Sequence, residues 1–204
     1  MKDKVSKRFN KNSPANGNFG PQMINSVSKS SVTKVCVIGP ECTGKTVLSE
    51  SLAKRLNTVW VEEYARAYLN RLRFPYEEGD LIKIAHGQVR MEDEWAIDAN
   101  KVLICDTNPI VIKVWSEFKY GHCDKIILDL IQTRPYDLYL LTYIDIPWVA
   151  DPLREHPDRR EELYNIYLNE MKNQSVPFVE IKGTEQQRLE TALAAIVKYI
   201  PENK

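Results

Sequence analysis

Thr33-Lys34-Val35-Cys36-Val37-Ile38-Gly39-Pro40-Glu41-Cys42-Thr43-Gly44-Lys45-Thr46 is the stretch on which the fold turns. A β-branched apolar run feeds directly into G-x-x-x-x-G-K-[ST]. Behind it, Val47, Leu48, Leu52 and Leu56 fall on one side of a helical period. Each part of the motif has a physical task. The glycines let the backbone curl so that successive N–H groups point inward at phosphate. Lys45 reaches the β and γ phosphates, and the Thr46 hydroxyl holds Mg²⁺. The helix that follows adds its positive N-terminal end. Gly39, Pro40, Glu41, Cys42, Thr43, Gly44, Lys45 and Thr46 are therefore assigned to binding Mg-ATP.

Outward from the loop, short β-branched runs alternate with helical stretches. Strands are expected at 33–38, 58–61, 101–105, 138–143 and 178–182. Helices are expected at 45–56, 63–73, 78–98, 109–119, 123–132, 159–173 and 185–199. Alternation of this kind builds βαβ units, and near-continuous apolar strands are covered on both faces. The fold class is α/β: a three-layer P-loop sandwich, with a five-stranded parallel sheet, helices on both faces and a short lid. The domain occupies residues 32–204. Residues 1–31, rich in Asn, Ser, Lys and Gly with no apolar period, read as a disordered basic and polar tail.

The 204 residues carry 28 basic and 28 acidic side chains. The balance is uneven, because residues 1–34 hold seven Lys or Arg against one Asp. A body with net negative charge is a poor partner for duplex DNA, and no specific nucleic acid is expected. No apolar run is long enough to cross a bilayer, and no leader of the secretory type is visible, so the expected location is the cytoplasm. The four cysteines form no CxxC pair and no zinc spacing, which suits a reducing compartment.

In open α/β sheets, ligands bind beyond the carboxyl ends of the strands. Two carboxylate groups fall there. The second strand runs into Glu62-Glu63-Tyr64-Ala65-Arg66, and the third into Asp106-Thr107-Asn108-Pro109. Phosphoryl transfer to a hydroxyl needs one group to accept its proton and an acid near the metal. Glu63 suits the first task and Asp106, with Thr46, the second. The reverse assignment stays open, as does Glu62 in place of Glu63. In helix 78–98, Gln88 and Glu92 interrupt an apolar face, which calls for a polar substrate or a buried network. After the fourth strand, Trp148 is a candidate for stacking on an aromatic ring. Arg154, Arg159 and Arg160 are candidates to cover the transferring phosphoryl group. Gly183, beyond the last strand, would admit a flat adenine.

The loop GPECTGKT, the EEYAR segment, Gln88 within a helix, the DTN segment and PWVAD followed by LR together resemble the ribosylnicotinamide kinase domain of the NadR family, over about residues 33–200. The resemblance implies a nucleoside-kinase-like P-loop fold. It also implies ATP-dependent phosphorylation of the 5′-hydroxyl of nicotinamide riboside, giving nicotinamide mononucleotide in NAD salvage. On this reading Glu63, Tyr64, Arg66, Gln88, Asp106, Asn108 and Trp148 face the substrate. Lys45, Glu63, Asp106, Arg154 and Arg159 carry the chemistry. Ala150 stands where the family's usual Asp precedes Asp151. A stand-alone kinase is expected, without adenylyltransferase or repressor activity. The rivals are a kinase for another nucleoside or small metabolite and an NTP-hydrolysing switch. The absence of an N-K-x-D signal speaks against a small GTPase.

Overall fold

The computed structural model describes residues 32–72 and 74–200; the tail expected at residues 1–31 lies outside them. Five strands form one parallel sheet: β1 (Thr33–Ile38), β2 (Trp60–Val61), β3 (Val102–Asp106), β4 (Leu138–Thr142) and β5 (Phe178–Ile181). Their order is β2-β3-β1-β4-β5. The order steps outward in both directions from β1, so the chain reverses at the β1 edge where the phosphate loop leaves the sheet. The β1/β3 register pairs Val37 with Asp106, which sets that carboxylate level with the loop's entrance.

Strand side chains alternate between two apolar layers. Val35, Val37, Ile104, Leu138 and Leu140 pack against α1 (Lys45–Leu56) and α7 (Glu185–Tyr199) through Leu48, Leu52, Ala192 and Ile196. Cys36, Ile38, Leu103, Cys105 and Leu141 pack on the other side against α4 (Pro109–Tyr120) and α6 (Arg160–Lys172), through Val114, Leu163, Tyr167 and Met171. A smaller cluster joins α2 (Tyr64–Leu69), α3 (Glu78–Trp95), α4 and α5 (Lys125–Thr133) around Leu81, Ile84, Ile112 and Ile127. Both faces of the sheet are thus buried, and three layers result.

Element ends differ from the sequence expectation where side chains take over the backbone's hydrogen bonds. The second strand begins at Trp60, because the Thr58 hydroxyl donates to Val102 O at 2.6 Å and accepts from Asn100 N at 2.9 Å. Helix α5 begins at Lys125, after Asp124, whose carboxylate accepts from Ile126 N at 2.7 Å. Ahead of α6, Pro157–Arg159 form a single 3₁₀ turn. The polar pair on α3 is partly used inside the protein, the buried Gln88 Nε2 having no hydrogen-bond partner among the described residues. Glu92, fully buried, accepts from Lys34 Nζ at 3.0 Å and from Tyr136 OH at 2.7 Å. Gln88 Oε1 accepts from Tyr64 N at 2.8 Å, which tethers the start of α2 to α3. Gly87 permits this approach, since a Cβ there would stand 2.0 Å from the Tyr64 ring.

Candidate active site

The phosphate loop is shaped by contacts on its outer side. Gly39 has φ 142°, and a Cβ there would lie 2.6 Å from Thr142 Oγ1 and 2.8 Å from Thr142 O. Only glycine lets the loop press this closely on the end of β4. Thr43 Oγ1 donates to Pro40 O at 2.8 Å and stands 2.7 Å from Thr142 Oγ1. The Lys45 ammonium curls over the loop, donating to Gly39 O at 3.1 Å and Pro40 O at 2.8 Å.

Asp106 lies under the loop, 1% exposed. Its Oδ2 accepts from Thr46 Oγ1 at 2.6 Å, whereas Oδ1 is buried with no hydrogen-bond partner among the described residues. Burial pushes its carboxyl up from 3.8 to about 7, and the neighbouring Glu63 charge adds to the rise. Lys45, the Thr46 hydroxyl and Arg66 oppose it. An orphaned buried carboxylate oxygen beside a threonine hydroxyl fits a hard divalent cation. Mg²⁺ commonly takes one or two protein oxygens and completes its shell with phosphate and water. The Thr46–Asp106 pair carries the oxygen donors such a cation would need. The chain turns away immediately afterwards through Thr107, whose φ of 72° is a strained position for a β-branched residue. Its N–H donates to Val37 O at 3.1 Å, which holds the turn in place.

A cavity of about 420 Å³ opens beside the loop. Residues 39–47 form one wall, and Glu63 and Arg66 form another. Tyr76 and the α4 residues Trp115, Phe118 and Lys119 also line it. Tyr76 and Trp115 meet edge to face, 4.8 Å between centroids. Trp115 Nε1 donates to Tyr76 OH at 2.8 Å. A second cavity of about 300 Å³ lies on the other side of the loop, against Val47, Ile146, Val149, Arg154, Glu185 and Arg188.

The segment between β4 and α6 covers the loop as a lid. The Glu41 carboxylate accepts from Glu155 N at 3.0 Å and His156 N at 3.3 Å. Cys42 Sγ accepts from Val149 N at 3.2 Å and Arg154 Nη1 at 3.3 Å. Arg160 Nη2 donates to Cys42 O and to Ile146 O, both at 3.0 Å. On the acceptor side, Arg66 pairs with Asp151 at 3.0 Å, and Tyr76 OH donates to Glu155 Oε2 at 2.9 Å.

The structure therefore gathers Gly39 through Thr46, Glu63, Arg66 and Arg154 around the main cavity, with Asp106 behind Thr46. Six other candidates do not line either cavity. Tyr64 and Gln88 join α2 to α3. Asn108 caps α4, its Oδ1 accepting from Ile110 N at 3.1 Å, and its Nδ2 donates to Tyr139 OH at 3.4 Å. Trp148 lies under Arg154 and Arg160, each 5.9 Å from its ring. Arg159 pairs with Glu162 at 2.7 Å and lies 4.0 Å over the Phe118 ring. Gly183 gives its N–H to Asp145 Oδ2 at 2.6 Å. Sequence reasoning missed Tyr76, Trp115, Phe118, Lys119 and Arg188. The α4 residues carried one available signal: a 3–4 spacing of large side chains beyond the end of β3.

Comparison with known proteins agrees with this geometry. The family model described as AAA domain matches residues 34–188. The trifunctional NAD biosynthesis/regulator protein NadR of Salmonella typhimurium is 29% identical over 163 residues, 76% of this chain and 39% of that protein. Its Escherichia coli K12 counterpart is 29% identical over 159 residues, 74% of this chain and 38% of that protein. The chain thus spans well under half the length of these curated relatives. A crystal structure of a NadR protein in complex with NR superposes with a TM-score of 0.69 at 22% identity, covering 83% of this chain and 50% of that one. Deoxyadenosine kinase from M. mycoides with bound dCTP gives 0.52 at 14% identity, covering 81% of this chain and 100% of that one. Matched over more than half its length, the chain belongs to the AAA domain family, as a P-loop relative of the NadR proteins.

Proposed function

We propose that this protein is a kinase that moves the γ-phosphoryl group of Mg-ATP to the 5′-hydroxyl of nicotinamide riboside. The observation that carries the reading is the main cavity. Its lining combines the phosphate loop, the Glu63 carboxylate and aromatic side chains, which are the parts a nucleoside acceptor needs. A switch that only hydrolyses its nucleotide has no use for such a cavity. The likeness to NadR proteins, one of them in complex with NR, supports the choice of acceptor.

The residues divide the work by position. The loop N–H groups and Lys45 hold the phosphates and neutralise charge as it develops. When Mg²⁺ is bound, Thr46 and Asp106 hold it, and it offsets charge on the β and γ phosphates. Glu63 lines the acceptor wall and takes the hydroxyl proton; Glu62 is exposed and outside the cavity. Tyr76, Trp115 and Phe118 offer aromatic surface to the cationic pyridinium ring of the riboside. Lys119, 3.7 Å over the Tyr76 ring, has its charge offset by Glu155 at 3.6 Å. Arg154 comes from the lid to the phosphate side, and the lid excludes water from the transfer. The donor's base is placed in the second cavity, between the apolar side chains of Val47, Ile146 and Val149.

The test is a screen of acceptors by ADP release with purified protein, setting nicotinamide riboside beside the common nucleosides and deoxynucleosides. Nicotinamide riboside should give the highest kcat/KM. A clearly higher value for another acceptor would replace the substrate assignment, and ADP release indifferent to every acceptor would replace the reaction.

A further inference from the structure

We infer that Arg188 is a positioning residue that sets the phosphate loop and the donor-base side of the site in one geometry. The inference rests on the kinase reading above and concerns how that site holds its nucleotide. Arg188 sits on α7, outside the loop motif, and is 3% exposed. Its guanidinium reaches three separate loops. Nη1 donates to Thr43 O in the phosphate loop at 2.9 Å. Nε donates to Gly183 O, in the turn between β5 and α7, at 2.9 Å. Nη2 donates to Tyr143 O, just past β4, at 3.1 Å and pairs with Asp145. Asp145 in turn accepts from Gly183 N through its other oxygen.

The contact with Thr43 O bears directly on phosphate binding. A trans peptide is planar, so its C=O and N–H point in opposite directions. Holding Thr43 O toward α7 aims the Gly44 N–H the other way, into the hollow of the loop. Gly44 lies at φ 78°, where glycine has no steric preference against rotation of the preceding peptide. The loop's own sequence therefore leaves this peptide loose, and Arg188 removes the freedom. Arg188 also lines the second cavity beside Val47 and Ile146. One side chain thus fixes the phosphate nest, the exit of β4 and the Gly183 turn relative to one another.

A buried arginine with this many partners would also stabilise the fold, so the test separates stability from ligand geometry. Arg188→Lys keeps the charge but cannot span three carbonyls. In the full chain, Mg-ADP affinity is read by calorimetry, KM for ATP and for acceptor by initial rates, and stability by urea unfolding. A positioning role weakens Mg-ADP binding and raises KM for ATP by about tenfold or more, the scale of one lost hydrogen bond to a charged group, with KM for the acceptor within about twofold. A folded variant that binds Mg-ADP within about twofold of wild type overturns the inference, whatever its loss of stability. Should Arg188→Lys fail to fold, Asp145→Asn carries the same criteria. Both Asp145 oxygens accept hydrogen bonds, so the amide sets a donor against either Gly183 N–H or Arg188. Wild-type protein that binds Mg-ADP but phosphorylates nothing ends the kinase reading and leaves this inference standing on its binding data. Wild-type protein that binds no Mg-ADP ends both.

Discussion

Replacing Asp106 by asparagine should make the protein without ligand more stable at neutral pH while removing its activity. The almost fully buried Asp106 carboxyl titrates at about 7 in the folded protein against 3.8 when free. A folded-state pKa above the unfolded value means that the folded state keeps its proton longer. Below about pH 4 both states are protonated and burial of this group carries no charge penalty. As pH rises from about 4 to about 7, only the unfolded state gains by ionising, so stability is lost across that window and stays lost above it. At about 1.4 kcal/mol per unit, the full penalty is on the order of 4 kcal/mol. A side-chain amide at this position cannot ionise and escapes it. The unfolding free energy of Asp106→Asn minus that of wild type should therefore grow by about 2–3 kcal/mol between about pH 5 and about pH 8.5. The assay is urea unfolding of both proteins across that range, with nucleotide and divalent cations removed. The reasoning is refuted if the difference is flat with pH or shrinks as pH rises, since Asp106 would then be ionised and well solvated in the folded state. Function should move the opposite way, with kcat falling and more Mg²⁺ needed to reach it, because the orphaned Oδ1 that suits a cation is gone.

Three further outcomes are expected. Lys45→Ala should fold normally and lose nearly all turnover, since a cation positioned on developing charge is worth several kcal/mol; more than a few per cent of wild-type kcat in a folded variant would count against the phosphate-loop assignment. Glu63→Gln should lower kcat by about 10²–10⁴-fold with a smaller change in acceptor KM, and Glu62→Gln should leave kcat near normal. The reverse pattern in steady-state rates would exchange their roles. Tyr76→Phe removes the hydroxyl that joins Trp115 to the lid residue Glu155, so acceptor KM should rise by about 3–10-fold with kcat less affected. An unchanged KM would show that this contact does not help to close the acceptor site.

Much of the scaffold could be read from the chain because its signals are local. A β-branched run followed by glycine, lysine and threonine at fixed spacing forms its loop within fourteen residues, and β1, α1 and α7 fall where the periodicity puts them. The placement of Asp106 beside Thr46 also followed, since it needs only a parallel sheet with β3 next to β1. The aromatic side of the cavity left only a weak trace, the 3–4 spacing of large side chains on α4. Trp115, Phe118 and Lys119 lie on a helix whose other face is core, and nothing in their spacing says that residues 152–156 come down on them. Asn108 and Tyr64 looked like substrate contacts because they stand next to strand ends, and Gln88 because it interrupts an apolar helix face; yet Asn108 Oδ1 caps α4 and Gln88 Oε1 accepts from Tyr64 N at the start of α2. Arg188 was hidden for a related reason: on an amphipathic helix a charged residue reads as solvated, and its burial depends on three loops that meet only in the fold.

Three of the four positions that the loop motif leaves free, Glu41, Cys42 and Thr43, are where this protein ties its phosphate site to its own architecture. The motif's glycines, its lysine and its Ser or Thr hydroxyl are common to any protein with the motif. Glu41 and Cys42 instead hold the lid, through the N–H groups of Glu155, His156 and Val149 and through Arg154. Thr43 holds the end of β4 with its hydroxyl and α7 with its carbonyl. Lid closure and the shape of the phosphate nest are consequently not independent, because the same three consecutive residues enter both. A substitution at Glu41 that leaves every phosphate contact intact should still loosen the lid, since it strips two backbone N–H groups of their acceptor. Such an effect would be invisible to any reading that stops at the motif.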